Sequence, residues 1–464
     1  MRPTETTDRP RPWRLLVVGC LALAALSLLG PSRPTYDPWS WLIWGREVAH
    51  LDLVTTDGPS WKPLPVAFTT VFSLSGDGAA PLLWLLIARS GGLLAIAMAY
   101  RLASRLAGTA AGVIAAVSLV LANDFVDSFA RGNSEGLLVA LTLWAIERHL
   151  DRRYGDAFLL GVAAALLRPE TWPFLALYGL WLIQRDWRRP NRTQTTALVV
   201  GAGILVLALW LVPEYIGSGS LLRGASRARE PVAGSPAQTA VPFLAVFDNG
   251  SSALSWPIYV GAVVAAAFAV GAYLRDRRIT VVLALGAVAT ALMIIVGLLA
   301  QAGFTGNLRY VTLPAAILCV VGGVGWAQLI TAVRGRHGRG AALAVGVAAA
   351  TASIPFVVGD LSRLDDQLDN LRRAARISAA LPDAISRAGG VQAVRRCRPV
   401  YTRTVNVPLV AWELHLHENE VGNRPRPPGT VIVTGESREA SDPRFRSLAQ
   451  TRQWTVASTC PSGG

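Results

Sequence analysis

The stretch TTALVVGAGILVLALWLVP, residues 195–213, contains no charged side chain. As an α-helix it is long enough to cross the roughly 30 Å hydrocarbon core of a bilayer. Similar runs recur along the first 360 residues, and we count eleven: 13–30, 81–100, 108–122, 134–148, 156–168, 171–184, 195–213, 254–274, 279–301, 308–332 and 340–358. With 52% hydrophobic and only 16% charged residues, the chain is unlike a soluble enzyme. The pattern predicts an all-α polytopic membrane protein with about eleven spanning helices.

The positive charges predict the orientation of these helices. The N-terminal tail and every second loop after it are basic, and short Arg-rich loops stay on the cytoplasmic side. We therefore expect a plasma-membrane protein with its N-terminus inside and its C-terminus outside. Residues 13–30 are expected to remain as the first helix, because no cleavage site of a signal peptide follows them. The net charge of +14 is then mostly a topology signal, and no nucleic-acid partner is expected.

The sequence divides into two domains. Residues 1–359 contain the predicted spanning helices. Residues 360–464 are predicted to form a small α/β domain on the outer side. A leucine repeat at helical spacing opens this external domain, and three strand-like runs, RPVYTRTV, GTVIVTG and QWTVAST, follow it. Because the outer compartment is oxidising, we expect a disulfide between Cys397 and Cys460.

One segment of the external domain, ELHLHE, contains potential metal ligands. Glu413, His415 and His417 would share one face of an extended strand, and two imidazoles with a carboxylate can bind zinc. No further ligand at a suitable spacing accompanies them, so a solvated surface is the favoured interpretation. The sequence is compatible with a divalent metal ion as a cofactor, and it indicates no other cofactor.

The first external loop opens with YDPWSWLIWGREVAH, residues 36–50. Asp37 followed by Pro38 is typical of a helix start, where Asp accepts backbone N–H bonds as the N-cap. The tryptophans form an apolar stripe, which predicts that this helix lies flat in the membrane interface. Asp37 is then either a cap alone or a carboxylate at the membrane surface that acts as general base for a hydroxyl acceptor.

The same loop holds the only lysine of the chain, Lys62, in GPSWKPLP, residues 58–65. Lys and Arg together number 44, so every other one of these basic residues is Arg. Pro59 and Pro63 lie close to Lys62 on either side and stiffen the backbone around it. A compact ammonium that meets a phosphate as a point charge is the sharper explanation of this exception. Snorkelling to water or to lipid headgroups is the alternative.

The second external loop, ANDFVDSFARGNSEG, is rich in acidic residues. Asp124, Asp127 and Glu135 are expected either to be solvated at helix ends or to bring one carboxylate opposite Asp37. Such a carboxylate pair could hold a metal ion or orient an acceptor. Ser134 is expected to cap the helix that follows.

Four further charges are candidates for a site. Arg168 and Glu170 bracket a break between two apolar runs, as a local ion pair or as the rim of a site. Arg89 lies about eight residues inside the second run, and a charge within a membrane span is a functional candidate by default. Arg309, followed by Tyr310, is expected at an outer helix end, where it meets an anionic ligand or the interface.

Together these features resemble the GT-C membrane glycosyltransferases, the class of the protein O-mannosyltransferases and the lipid A aminoarabinose transferases. The resemblance covers about the first 330 residues. It rests on Asp37 after the first helix, the element KPLP at Lys62, the acidic second loop and the pair Arg309-Tyr310. The resemblance extends to actinobacterial-type members, which carry a small external C-terminal domain.

The resemblance implies a GT-C fold, a polyprenyl-phosphate sugar as donor and a glycan, lipid or protein acceptor on the outer face. It implies that Asp37 is the base of an inverting transfer and that Lys62 contacts the donor phosphate, with Arg89 and Arg309 as further contacts. The chain departs from the family pattern in two places. Trp61 stands where many relatives have Glu, and Asp37 is followed by Pro38 instead of by a second acidic residue.

Two other functions fit part of the pattern. A lipid or solute transporter, or a flippase, predicts inverted repeats and polar groups near the membrane midplane, where Arg89 is the one candidate. A non-catalytic envelope scaffold would use Asp37 only as a cap and Lys62 only as an anchor. The prediction is a glycosyltransferase, because the polar residues concentrate on the outer side.

Overall fold

The computed structural model describes residues 12–230, 234–277, 279–435 and 442–460. Within these ranges the chain is mostly helical, with a small sheet near its C-terminus. The helices are α1 (Pro12–Ser27), α2 (Tyr36–Ala49), α3 (Pro63–Ser73), α4 (Ala80–Ala107), α5 (Thr109–Val120), α6 (Phe125–Ala130), α7 (Glu135–Leu150), α8 (Tyr154–Ala165), α9 (Trp172–Asp186), α10 (Arg192–Ser218), α11 (Arg223–Ala228), α12 (Pro242–Ser251), α13 (Trp256–Asp276), α14 (Val281–Gln301), α15 (Thr312–Ala379), α16 (Leu381–Arg387), α17 (Gly390–Arg396) and α18 (Val407–Glu413).

Five of these helices are long and apolar enough to cross a membrane: α4, α10, α13, α14 and α15. Among the shorter helices, α1, α3, α5 and α8 are also apolar. Each of the eleven runs predicted from the sequence falls on one of the helices, and two of them fall on α15. The number of spans and the orientation of the chain remain predictions.

Helix α15 is two helices joined at a sharp break. Gly338 has φ 83° and ψ 179°, a conformation that interrupts the helix and that glycine adopts without strain. A Cβ atom on Gly346 would lie 3.9 Å from Cδ1 of Ile330. In a straight helix these two residues would be about 24 Å apart, so the chain reverses direction at Gly338. The predicted runs 308–332 and 340–358 are the two arms of this hairpin.

The helices α4, α5, α7, α13 and α15 contribute most of the largest buried apolar cluster. Small residues bring α13 and α15 into close contact, because a Cβ atom on Gly325 would overlap the carbonyl oxygen of Gly261. This packing fixes the start of α15, which directly follows Arg309 and Tyr310.

The described residues of the C-terminal domain, which the sequence predicts to be external, form a five-stranded mixed sheet of order β2-β1-β3-β5-β4. Its strands are β1 (Val400–Tyr401), β2 (Val421–Gly422), β3 (Thr430–Thr434), β4 (Arg446–Gln450) and β5 (Trp454–Ser458). The three predicted strand-like runs contain β1, β3 and β5, whereas β2 and β4 were not anticipated. A disulfide joins Cys397 to Cys460 and so links the start of β1 to the end of β5.

The external domain packs against α2. The Trp412 and Trp39 rings lie 5.9 Å apart, and Nδ1 of His417 lies 2.7 Å from Oε1 of Glu47. The predicted boundary at residues 359/360 falls inside α15, which continues to Ala379. Trp454 of the sheet donates a hydrogen bond to the carbonyl of Ile377 at 2.7 Å, so the end of α15 belongs to the external domain.

Candidate active site

Asp37 lies in the first turn of α2, where its carboxylate contacts a distant arginine. Thr35 occupies the N-cap position, so the prediction that Asp37 caps this helix is wrong. Asp37 is 9% exposed, and its Oδ2 accepts a hydrogen bond of 2.6 Å from Nη1 of Arg309. The guanidinium belongs to the short turn Leu308–Tyr310 before α15. The carboxylate therefore takes part in a tertiary ion pair instead of a local cap.

The tryptophan stripe of α2 faces protein, and the prediction of a helix lying flat in the lipid interface is wrong for this face. Trp39, Trp41 and Trp44 are all buried. Trp41 meets the Trp84 ring edge-on at 5.5 Å, and Trp44 lies 5.6 Å from the Trp61 ring. Nζ of Lys62 lies 4.9 Å from the centre of the Trp41 ring, so these indoles form the surface against which Lys62 packs.

Lys62 points into the protein, which contradicts the snorkelling alternative. It is the extended residue before α3, whose first turn contains Pro63 and Pro65. Its Nζ donates to the hydroxyl of Ser134 at 3.0 Å and lies 3.9 Å from Oε1 of Glu135. Only 7% of the residue is exposed. Burial, together with the neighbouring charge of Arg168, lowers the pKa of Lys62 to about 7.

Glu135 connects Lys62 to Arg168. It is the first residue of α7, is 1% exposed, and accepts hydrogen bonds from Nη2 of Arg168 and from Oγ of Ser128. Arg168 also lies 3.9 Å from Glu170, so the predicted local ion pair exists. It is longer than the ion pair of Arg168 with Glu135. Three loops that are far apart in sequence therefore meet at Glu135.

Tyr310 closes the site between the two arginines. The Arg168 guanidinium carbon lies 4.4 Å from the centre of the Tyr310 ring, and that of Arg309 lies 5.8 Å from it. Both contacts are within cation–π range. We define the outer cluster as Asp37, Lys62, Glu135, Arg168, Glu170, Arg309 and Tyr310. Its three cations face three carboxylates.

Some hydrogen-bonding capacity of the outer cluster is unused. Within the described residues, the buried Nε atoms of Arg168 and Arg309 and the buried Oε2 of Glu170 have no hydrogen-bond partner. Buried polar groups usually have partners, and an exception calls for an explanation. Two free guanidinium N–H groups beside a buried ammonium provide the donors that an anionic oxygen requires.

Three predicted site residues have their contacts elsewhere. The Arg89 guanidinium donates to the carbonyls of Ser27, Pro31 and Ala130 at 2.7–3.0 Å. Asp127 pairs with Arg131 at 3.2 Å, and Asp124 accepts from Nε2 of Gln367 at 2.8 Å. Of the acidic residues predicted in the second loop, Glu135 is the one whose contacts lie in the outer cluster.

Two of the possible metal ligands, His415 and His417, contact α2 and the loops that follow α2 and α3. Nε2 of His417 lies 3.3 Å from Oδ2 of Asp52, besides its contact with Glu47. His415 is near Asp77, at 3.6 Å. In the described part of the chain, no group of three or more His, Cys, Asp or Glu side chains is placed to hold a metal ion. A metal site stays untested.

An apolar cavity of about 580 Å³ opens next to the outer cluster. It lies between α7, α8, α9, α14 and α15, and its apolar lining includes Leu175, Leu285 and Leu292. Thr171 and Leu313 line one end, and Trp181 lies at the other, about 15 Å farther along α9. The Thr171 hydroxyl donates to the carbonyl of Arg168 at 2.8 Å, so this end of the cavity lies at the turn that carries Arg168.

Two residues near the outer cluster were missed or misassigned from the sequence. Ser134 occupies the N-cap position of α7, but its side chain makes no cap hydrogen bond and instead accepts from Lys62. Glu214, near the end of α10, is 2% exposed and accepts a hydrogen bond from the backbone N–H of Trp61. An acid next to an apolar run is the signal that could have identified it.

Comparison with solved structures shows that the whole chain has a known fold. No protein-family model matches the chain, and no match was found among curated protein sequences. ArnT from Cupriavidus metallidurans bound to undecaprenyl phosphate matches with a TM-score of 0.57 at 14% identity, over 98% of this chain and 99% of that one. The same protein in the apo state gives 0.53 at 15% identity, over 97% and 98%. ArnT is a GT-C glycosyltransferase, and the chain therefore has the GT-C fold.

Proposed function

We propose that the protein is a membrane glycosyltransferase that moves a sugar from a polyprenyl-phosphate carrier to an envelope acceptor on the outer face. One observation carries this proposal: an apolar cavity between helices lies beside the turn that carries Arg168, one of the three cations of the outer cluster. A polyprenyl phosphate has the matching chemistry, with a long apolar chain and a single anionic head. The fold shared with ArnT bound to undecaprenyl phosphate supports the same donor class.

The cations would hold the donor phosphate. The Lys62 ammonium is the most compact of the three cations, and the free Nε atoms of Arg168 and Arg309 supply further donors. Charge-assisted hydrogen bonds of this kind are about twice as strong as neutral ones, and burial strengthens them further. These interactions are most favourable when the phosphate gains charge as a leaving group. Arg89 has no part in this step, because carbonyl oxygens occupy its guanidinium.

Asp37 would act as the general base. The acceptor hydroxyl gives its proton to the Asp37 carboxylate while its oxygen attacks the anomeric carbon from the face opposite the phosphate. The bond between that carbon and the phosphate oxygen breaks, and the electron pair leaves with the polyprenyl phosphate. One displacement of this kind inverts the anomeric configuration. Arg309 holds the carboxylate in place through its 2.6 Å contact.

The two other candidate functions find less support in these contacts. The transporter interpretation relied on Arg89 as a polar group near the midplane, but the partners of Arg89 are backbone carbonyls at the end of α1 and in α6. The scaffold interpretation needed a capping Asp37 and a snorkelling Lys62, and neither side chain behaves in that way.

The test is a transfer reaction with purified protein in nanodiscs. A panel of radiolabelled polyprenyl-phosphate sugars is incubated with glycan, lipid and protein fractions of the envelope, with Mg²⁺ or with EDTA. We expect label to move to one fraction and the product to show inverted anomeric configuration by NMR. Movement of the lipid across the bilayer without any sugar transfer would instead establish the flippase.

A further inference from the structure

The loop that presents Lys62 is held by two helices from elsewhere in the chain. We define this loop as residues 55–61. Its backbone accepts hydrogen bonds from α11, where Arg223 donates to Pro59 at 2.6 Å and to Gly58 at 3.0 Å. Arg227 also donates to Gly58, at 3.0 Å. Thr55 donates its N–H to the carbonyl of Gly217 in α10 at 3.0 Å. The loop is therefore a docked segment.

Glu214 of α10 contacts both ends of the loop. Its Oε1 accepts the backbone N–H of Trp61 at 3.2 Å, and its Oε2 lies 3.5 Å from Oγ1 of Thr55. Arg223 approaches the same carboxylate at 3.9 Å. The carboxylate therefore links the first and last residues of the loop through its two oxygens.

The carboxylate of Glu214 lies close to the backbone of α11. A Cβ atom on Gly224 would lie 2.9 Å from Oε1 of Glu214, so glycine at this position makes room for the carboxylate. Trp61 is fixed on its other side, because its indole Nε1 donates to the carbonyl of Leu209 at 2.9 Å. The residue that precedes Lys62 is thus held by its backbone and by its side chain.

We propose that Glu214 is the positioning residue for Lys62, and that it holds the loop so that the ammonium reaches Ser134 and Glu135. The role in sugar transfer rests on the proposed function, whereas the positioning of the side chain does not. In family members with Glu before the lysine, an acid is present at that position in sequence. Here Glu214 brings a carboxylate to the backbone of Trp61 from another helix.

The single lysine of the chain makes this positioning measurable without any substrate. Lysine labelled with ¹³C at Cε gives one lysine signal from the full-length protein in nanodiscs. Its chemical shift follows protonation, and its linewidth reports the mobility of the side chain. For the wild type we expect the broad signal of a side chain that tumbles with the nanodisc, with a titration midpoint of about 7.

Glu214→Ala removes the acceptor of the Trp61 N–H, whereas Glu214→Gln removes the charge and keeps an acceptor oxygen. In Glu214→Ala we expect Lys62 to gain contact with water, so that its midpoint rises by at least about one unit toward the ordinary lysine value of about 10.4. Glu214→Gln should stay near the wild type. Asp360→Asn is the matched control, because Asp360 is also buried but bonds to Ser255 and Arg363.

The proposal is overturned if Glu214→Ala titrates like the wild type, or if Glu214→Gln or Asp360→Asn shifts the midpoint as much. If Glu214→Ala does not fold, Gly224→Ala tests the same point, since its methyl group displaces the carboxylate; an unchanged signal there also overturns the proposal. Failure of the wild type to transfer any sugar would refute the proposed function and leave this result unaffected.

Discussion

The arginine side chains of two regions of the molecule differ in what their charge can still do. Arg89 in α4 is 4% exposed and directs its guanidinium to backbone carbonyls at the end of α1 and in α6. In the outer cluster, Arg168 and Arg309 pair with carboxylates, and their Nε atoms have no partner within the described residues. Each nitrogen of the Arg89 guanidinium therefore has an acceptor, whereas Arg168 and Arg309 each keep one N–H donor without an acceptor among the described residues.

The difference shows that a buried charge does not by itself mark a ligand site. What distinguishes the outer cluster from Arg89 is its unused hydrogen-bonding capacity, together with the apolar cavity beside the turn that carries Arg168. Arg89 instead serves to satisfy carbonyl groups that would otherwise be buried without partners, at a cost of about 1–3 kcal/mol each. The contrast can be tested by substituting residues in both regions.

The largest effect is expected at Asp37. Asp37→Asn keeps the shape of the side chain but cannot accept a proton, so kcat for sugar transfer should fall by about 10³-fold. Donor affinity should change little, because the cations remain. Transfer rates and donor binding measured on the same preparation separate these two quantities.

Asp127→Asn is the matched control for Asp37. Asp127 is also an acid of a predicted external loop and is also paired with an arginine, but its partner is Arg131. We expect near wild-type transfer. Equal losses in both variants would remove Asp37 from the mechanism.

The next largest effect is expected at Lys62. Lys62→Met removes the ammonium and should weaken binding of the donor by about 10–100-fold, the value of a buried charge-assisted hydrogen bond. Binding of a fluorescent polyprenyl-phosphate sugar to the protein in nanodiscs measures it. A donor affinity equal to that of the wild type would place the phosphate elsewhere.

A smaller effect on donor binding is expected when the pH is raised above 7. Burial lowers the pKa of Lys62 to about 7, so the free protein carries the ammonium below that pH and loses it above. The donor is a phosphodiester, which stays singly charged in this range. The donor Kd should therefore rise by about tenfold per unit above pH 7, because binding then requires uptake of a proton. Lys62→Arg should bind with no such dependence, since arginine stays charged. A pH dependence shared by both proteins would assign it to another group.

The sequence predicted the helical fold because its signal is local. An apolar run such as residues 195–213 specifies a helix regardless of what surrounds it, and it appears as part of α10. The three strand-like runs were also found, whereas the two-residue β2 carries too little pattern to recognise. The same limit explains α2: its tryptophan stripe was identified, but a stripe does not tell whether lipid or protein covers it.

The site was predicted less completely, because its contacts are tertiary. Asp37, Lys62, Arg309 and Glu135 were candidates, yet the pairing of Asp37 with Arg309 joins residues 272 positions apart. The same type of signal was over-interpreted at Arg89 and overlooked at Glu214, which ends an apolar run. Only the partner of each buried charge distinguishes these cases, and composition and spacing do not encode the partner.

The smallest effect on transfer is expected at Arg89, and it completes the comparison between the two regions. Arg89→Met removes a buried cation and leaves carbonyls without donors, so the free energy of unfolding should fall by about 3 kcal/mol. Thermal unfolding in detergent measures this loss. The folded fraction should nevertheless bind the donor with wild-type affinity, because no contact of Arg89 involves the outer cluster residues described above. A variant that stays stable but loses donor affinity would mean that Arg89 acts on the ligand after all, and the distinction between complete and incomplete networks would fail.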